Sequence, residues 1–321
     1  MELIEDLQGF VGENLSLLAP IERAWQPSDL LPDLAAGDWA EQLASFREST
    51  LRLPDDLLVV LVGNMVTEEA LPNYAITLER VAKDETGTDD APWARWLRGW
   101  TAEENRHGDL LNAYLRLSGR VDMRSVERTI HHLIRDGFDP RANGDSTSGL
   151  IYAAFQERAT RITHGNVGKM ASDRGEEFLA GICRRISGDE ARHEAFYTRV
   201  VGQVMGRDPE AGVLAFRAIL KGLVAMPGRL MTDGEDPDLF DHFGAVAQRI
   251  GVYTVRTYAQ IIGHLVEAWG IGDLSVTGRA AKAQDYLCRQ QDRYESYADE
   301  VADIVAKQPA NPFTWIHGRR A

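Results

Sequence analysis

The sequence predicts an all-α protein, a four-helix bundle with additional helices around it. Three observations predict this. No stretch sustains the every-second-residue alternation of a half-buried strand, whereas apolar residues recur at steps of three and four through most of the 321 residues. Two stretches, Glu104-Asn105-Arg106-His107 and Glu190-Ala191-Arg192-His193, place a Glu-x-x-His on such an apolar stripe. Upstream of each, at a similar distance, stands one further Glu on a helical stripe, Glu68 and Glu157. The pattern "Glu, then Glu-x-x-His" thus occurs twice, and a bundle that holds two metal ions in its core needs that set.

Taken in order, residues 1–53 read as an N-terminal segment. Leu3 to Leu18 has helical periodicity, and Pro20, Pro27, Pro32 and Pro54 keep its helices short. Pro54-Asp55-Asp56 opens a long helix, with acid in the first turn to suit the helix dipole. Its inward face carries Leu61, Met65, Glu68 and Ala75; Pro72 predicts a kink, and the helix ends before Gly87. Pro92 opens the next helix, whose stripe reads Leu97, Trp100, Glu104, His107, Leu111, Tyr114, with Gly119 at its end. A shorter helix runs from Met123 to about Arg135. After a turn-rich loop, Asp139 to Gly149, a helix from about Thr147 carries Leu150, Ala153, Ala154, Glu157, Thr160 and His164. Gly175-Glu176-Glu177 opens the helix of Cys183, Ile186, Glu190, His193, Tyr197 and Val200. The bundle therefore spans about 54–206. Additional helices follow over about 209–306: one from Pro209 to near Pro227-Gly228, one from Phe240 to Trp269 and one from Ala280 to Ala306. The tail, Pro312 to His317, is apolar enough to pack on the body, and the whole chain, 1–321, reads as one domain.

Composition excludes several classes. The longest purely apolar run, Leu57 to Val62, is far too short to span a bilayer. A net charge of −14 argues against general nucleic-acid binding, so any acidic partner needs a local basic patch. The acidic start, Met1 to Asp6, has no basic segment of the kind that opens a signal peptide. Two cysteines, Cys183 and Cys288, do not make a disulfide framework for a chain of this length and predict a reducing cytoplasm.

Residues at i and i+3 share a helix face, so each Glu-x-x-His aims a carboxylate and an imidazole at one point. Four carboxylates balance the charge of two divalent ions and so need not be buried unpaired. Oxygen-rich ligation with two nitrogens and no sulfur favours iron or manganese over structural zinc. One Glu-x-x-His alone usually marks a solvated face; two on apolar stripes, each with a matching Glu, do not fit that reading. Glu68 is preferred to Glu69 because it shares a face with Leu61, Met65 and Ala75, and Arg158 is a competing partner for Glu157. Asp189 can accept from a ligand imidazole and fix its tautomer. Thr160, one turn after Glu157, would turn its hydroxyl to the metals. His164, Tyr114 and Tyr197 read as satisfied core residues, and Trp25, Trp93, Trp96 and Trp100 as core or interface aromatics.

Longer motifs narrow the reading. Thr101-Ala102-Glu103-Glu104-Asn105-Arg106-His107-Gly108-Asp109 and Asp189-Glu190-Ala191-Arg192-His193-Glu194 resemble the two signatures of the soluble acyl-carrier-protein desaturases. So do Trp25-Gln26-Pro27, Thr67 to Pro72, Ser118 to Met123, Phe155 to Thr160 and Leu239 to Phe243, which carry the resemblance from about Ile21 to the tail. The resemblance implies a homodimer with a ferritin-like di-iron bundle. It implies insertion of a cis double bond into a saturated acyl chain on acyl carrier protein, with dioxygen and two electrons from ferredoxin.

Carried over by residue, it implies metal ligands Glu68, Glu104, His107, Glu157, Glu190 and His193, with Glu104 and Glu190 bridging two iron ions. Thr160 matches the family's threonine beside the oxygen-binding face, and Trp25, His107 and Asp189 match a proposed electron route. Arg23, Arg184, Arg185, Arg192 and Arg199 are the expected basic patch for the acidic carrier. The start of the chain suggests a bacterial cytoplasmic member rather than a plastid precursor. Arg80, beyond Glu68, is bulkier and more charged than plant members lead one to expect, which leaves chain length and double-bond position open. Two other readings compete. One is a radical-generating subunit like that of ribonucleotide reductase, which would want a tyrosine close to the cluster and usually an aspartate ligand, whereas all four carboxylates are Glu and Tyr197 lies one turn beyond its His, or else a hydroxylating di-iron oxygenase. A non-catalytic iron-binding protein would leave the additional helices unexplained.

Overall fold

A computed structural model describes residues 6–82, 84, 86–142 and 145–321. The side chain of Arg80, together with Met1 to Glu5, Asn143 and Gly144, lies outside the described residues. The helices are α1 (Gln8–Asn14), α2 (Trp39–Thr50), α3 (Asp55–Glu68), α4 (Leu71–Ala82), α5 (Pro92–Ser118), α6 (Met123–Asp136), α7 (Ser146–Ser172), α8 (Glu177–Arg207), α9 (Pro209–Leu220), α10 (Leu239–Ile250), α11 (Val255–Ala268), α12 (Gly278–Cys288), α13 (Gln290–Glu295) and α14 (Ala298–Ala306). Among the described residues there is no strand, only one isolated bridge between Pro312 and Arg320, and no helix is long and apolar enough to cross a membrane.

Four helices carry the centre: α3, α5, α7 and α8. Leu57 to Val62, Met65 and Val66 are all buried, so α3 is apolar all round and runs through the core rather than along its surface. Gly63 makes room for a neighbour: a Cβ there would come within 2.2 Å of the Phe243 ring of α10. Helices α7 and α8 pack along their lengths, and α5 packs against α3 and α8 with Trp96, Trp100, Leu110, Leu111 and Tyr114 buried. Asp122 and Asp145 cap α6 and α7 through two backbone N–H groups each.

Four expected helices are shorter than their apolar periodicity suggests. The helix from Asp55 does not kink at Pro72 but stops, α3 ending at Glu68 and α4 starting at Leu71. Pro72 has no N–H to give the carbonyl four residues back, and its ring crowds that carbonyl. Helix α9 stops at Leu220 rather than near Pro227; a short 3-10 turn covers Pro227–Leu230. The stretch from Phe240 to Trp269 is two helices. Gly251 ends α10 with φ +80°, open to glycine without strain, and Thr254 caps α11 by accepting from Thr257 N–H. Ala280 to Ala306 is likewise divided into α12, α13 and α14. The tail packs as expected: Phe313, Trp315 and Ile316 are buried, and the Trp315 indole donates to Thr129 Oγ1 at 2.9 Å.

Candidate metal centre

Glu68 comes from the last residue of α3, Glu104 and His107 from α5, Glu157 from α7, and Glu190 and His193 from α8. All six are buried and they meet in two interlocking quartets. Glu68, Glu104, His107 and Glu190 offer ligand atoms within 4.8 Å of one another, and so do Glu104, Glu157, Glu190 and His193. Glu104 and Glu190 belong to both. His107 Nδ1 is 3.3 Å from Glu190 and 3.8 Å from Glu104; His193 Nδ1 is 2.8 Å from Glu104 and 3.4 Å from Glu157.

The orphaned atoms fit a metal pair. Glu104 Oε1, both Glu190 carboxylate oxygens, His107 Nδ1 and His193 Nδ1 are buried without hydrogen-bond partners. Buried polar atoms are rarely left so, and these five all point into the cluster. The electrostatics agree. Burial and the neighbouring Glu190 raise the Glu104 carboxyl to about 7, and burial and Glu157 raise Glu190 to about 8. Burial also lifts Glu157, with Glu104 adding to it. On Glu68 burial pushes the same way, but the His164 hydrogen bond wins and lowers it. Burial disfavours the charged imidazoles, yet Glu104 beside His107 and Glu103 beside His193 leave both well above the ordinary histidine value. A bound dication relieves this crowding of acids.

Each imidazole is oriented from behind. His107 Nε2 faces Asp189 Oδ2 at 3.4 Å, and that oxygen also receives the Trp25 indole N–H at 3.1 Å. Trp25 stacks on His107, ring centroids 6.1 Å apart and 10° from parallel. His193 Nε2 faces Glu103 Oε2 at 3.0 Å. The sequence reading missed Glu103. Its signal is the acid before each Glu-x-x-His, noticed at Asp189 and not at its twin. It also missed His164 and Trp100, which hold the two single glutamates. His164 Nε2 lies 2.8 Å from Glu68 Oε1, and Trp100 Nε1 donates to Glu157 Oε1 at 2.9 Å. Glu69 turns away and accepts from Asn112; Arg158 pairs with Glu194, not Glu157.

Thr160 departs from expectation. Its hydroxyl donates back into its own helix, to the carbonyls of Gln156 and Glu157 at 3.0 and 3.1 Å, rather than to the cluster. The residue still sits where two cavities meet. A wide cavity of 660 Å³ and a narrow one of 40 Å³ share Thr67, Glu68 and Thr160. The narrow one continues past the cluster between Tyr74, Leu78, Trp100, Tyr152 and Ala153; the wide one is rimmed by exposed Arg141 and Arg229. The basic patch expected from sequence is partly used up. Arg192 binds Glu103, Asp189 and the Leu17 carbonyl, and Arg199 binds Asn14, whereas Arg23, Arg184 and Arg185 are exposed. Tyr197 Oη receives the Trp96 indole N–H at 3.3 Å and bonds to no cluster residue.

Comparison with known proteins extends these observations. The model of a family described as fatty acid desaturase matches residues 1–317. A chloroplastic stearoyl-(acyl-carrier-protein) 9-desaturase from Spinacia oleracea is 48% identical over 324 residues, which cover 100% of this chain and 81% of that protein. An acyl-(acyl-carrier-protein) 6-desaturase from Thunbergia alata is 46% identical over 330 residues, 99% of this chain and 84% of that protein. The X-ray structure of DesA2 from Mycobacterium tuberculosis H37Rv overlays with a TM-score of 0.54 at 21% identity, covering 88% of this chain and 99% of that one. That last likeness concerns the fold.

Proposed function

The chain belongs to the fatty acid desaturase family, and we propose from that premise and the geometry of the cluster how it acts. It is an acyl-acyl-carrier-protein desaturase, an oxidoreductase. The observation that carries the reading of the site is the pair of interlocking quartets with Glu104 and Glu190 common to both. In this reading Glu68 and His107 would hold one iron ion and Glu157 and His193 the other, with Glu104 and Glu190, common to both quartets, serving both. The donor set, oxygen-rich and free of sulfur, suits iron. When bound, the iron pair supplies the oxygen activation and oxidising power that remove a hydrogen from each of two adjacent acyl carbons.

The chain's own residues do the rest. The wide cavity admits the acyl chain from the side of Arg141 and Arg229, guanidinium groups suited to the acidic face of acyl carrier protein. The chain passes Thr67, Glu68 and Thr160 and ends in the narrow cavity, whose walls are Tyr74, Leu78, Tyr152 and Ala153. Those walls fix which carbons stop beside the cluster and exclude water there. Asp189 and Glu103 hold each imidazole by Nε2, so that Nδ1 keeps its lone pair for the metal. Trp25, half-buried over His107, offers a path for electrons from a ferredoxin docked outside. A homodimer in a reducing cytoplasm completes the reading; Cys183 and Cys288 are both unpaired.

The test is incubation of iron-loaded protein with stearoyl- or palmitoyl-acyl carrier protein, ferredoxin, its reductase, NADPH and oxygen. A monounsaturated acyl product is expected. No unsaturated or oxygenated product from any chain length would overturn the reading.

A further inference from the structure

Beyond Trp100, one group of buried side chains has no part in the mechanism above. From the cluster's second half a line of aromatic rings runs toward α1. Trp100 starts it, bonded through its indole N–H to Glu157. The Tyr197 ring stands edge-on to Trp100 at 6.1 Å, and Trp96 stands edge-on to Tyr197 at 6.0 Å with its N–H on the Tyr197 hydroxyl. Trp96 also meets the edge of His193 at 6.4 Å. Beyond it Phe196 stacks face to face at 3.4 Å, and Trp93 lies across Phe196 at 5.9 Å. Trp93 is covered by α1, where Gln8 accepts its backbone N–H.

Packing alone explains large rings in a core. It does not explain why this line touches the centre twice, at a carboxylate and at an imidazole, and then continues through indoles, the side chains that give up an electron most readily. The other imidazole also has a tryptophan, but Trp25 is half-buried and reachable by a donor. Trp96 is buried, and Trp93, at the outer end under α1, keeps only 3% of its surface exposed.

We propose that Trp100, Trp96 and Trp93, bridged by Tyr197 and Phe196, form an escape line that draws oxidising equivalents away from the metal pair when no acyl chain fills the cavity. The proposal rests on the oxygen-activating reading of the site. In each passage the metal centre gains one electron and an indole loses one; Trp100 shares its N–H proton with the Glu157 carboxylate, and Trp96 keeps its own against the Tyr197 hydroxyl, a poor base. A soluble thiol restores the ring by giving one electron and losing one proton to water, and two such thiols end as a disulfide. Where thiol is lacking, the oxidised indole loses its N–H proton to water, the neutral ring radical adds dioxygen, and one electron from the reductant that feeds the centre, with one proton, completes a ring hydroperoxide whose oxygen stays on the side chain. Damage then falls on Trp93 and Trp96 and spares the ligands.

The experiment is substrate-free oxidation of the iron-loaded full chain by dioxygen and a chemical reductant, followed by peptide mass spectrometry. Oxygen addition is expected to concentrate at Trp93 and Trp96 and to fall several-fold with added thiol. In Trp96→Phe, oxygen addition at Trp93 falls several-fold, rises at Trp100 and His193, and iron is lost faster. Should that variant fold poorly, Trp93→Phe is expected to leave Trp96 as the main oxidised site. Oxidation confined to Trp25 or the ligands in the unaltered protein, or an unchanged pattern in the variants, overturns the proposal while leaving the desaturase reading intact. An iron-loaded protein that consumes no oxygen overturns both.

Discussion

The Glu103 carboxylate stands 3.0 Å from His193 Nε2, as Asp189 stands 3.4 Å from His107 Nε2. Each acid directly precedes one Glu-x-x-His and faces the histidine of the other, so the two helices orient each other's histidine. Arg192 donates to both acids, at 2.8 Å to Glu103 and 2.6 Å to Asp189, and Glu103 also accepts from Ala19 N–H at 2.6 Å. It ties the N-terminal segment to the centre. Loss of such a partner typically costs about 10- to 100-fold in metal affinity. Glu103→Ala is expected to fall in that range by metal titration. Glu103→Gln, which keeps an acceptor for the imidazole, should lose less. Equal affinity in Glu103→Ala and the unaltered protein would refute the orienting role.

Bridging and single carboxylates should separate by stoichiometry. Glu104→Ala removes a donor from both quartets and is expected to lower bound iron toward zero. Glu68→Ala removes one from a single quartet and is expected to leave about one ion, by the ligand count a transition-metal site needs. Iron per chain by elemental analysis decides it; full iron in Glu104→Ala contradicts the assignment.

Proton release should accompany loading. In the metal-free fold Glu104 and Glu190 titrate near 7 and 8, against 4.5 for an unperturbed glutamate. They hold protons at neutral pH that the unfolded chain does not. Between those values the native state binds more protons, so the metal-free fold loses stability as pH rises through the window. Metal must displace the same protons, so affinity rises with pH. Calorimetry in two buffers of different ionisation enthalpy reads the protons released. None released at pH 7 would contradict it.

Filling the narrow cavity should change which chain is taken. Ala153→Leu adds a branched side chain to a space of 40 Å³ and is expected to shift preference from stearoyl to palmitoyl carrier substrates. Product analysis with both in competition measures the shift, and an unchanged ratio would place the chain's end elsewhere.

Stability can be altered far from the metals. Trp315 is fully buried and bonded to Thr129, and replacing a core tryptophan by alanine costs about 3–5 kcal/mol. Trp315→Ala is expected to lower the thermal midpoint with the iron content of the surviving folded fraction unchanged. A midpoint within a degree or so of the original would show that the tail does not brace the body.

That these six side chains meet was legible because the signal is local. A spacing of three on an apolar stripe fixes a shared face, and two such stripes with matching glutamates leave little else to build. The helix ends at Gly119 and Arg135 were readable for the same reason. What was not legible depends on contacts between distant segments. His164 reads as a plain core histidine until α3 brings Glu68 against it, 96 residues away in sequence. Arg192 and Arg199 read as surface charges until the N-terminal segment folds over them. Where the Thr160 hydroxyl donates was not legible either, because a helical threonine can satisfy it on the carbonyl behind it, at no tertiary cost. The two helices drawn as continuous over Phe240 to Trp269 and Ala280 to Ala306 kept their apolar period across Gly251 and Arg289, where the chain breaks them.

The stop between Glu68 and Leu71 separates two duties that one continuous helix would have coupled. Glu68 is fixed by α3, which is locked in the core, while Tyr74 and Leu78, which shape the narrow cavity, ride on α4. A substitution that tilts or shifts α4 can redraw the far wall without re-aiming the ligand. Relatives that place the double bond at different carbons could thus diverge by small changes in one short helix, with the oxygen chemistry inherited untouched.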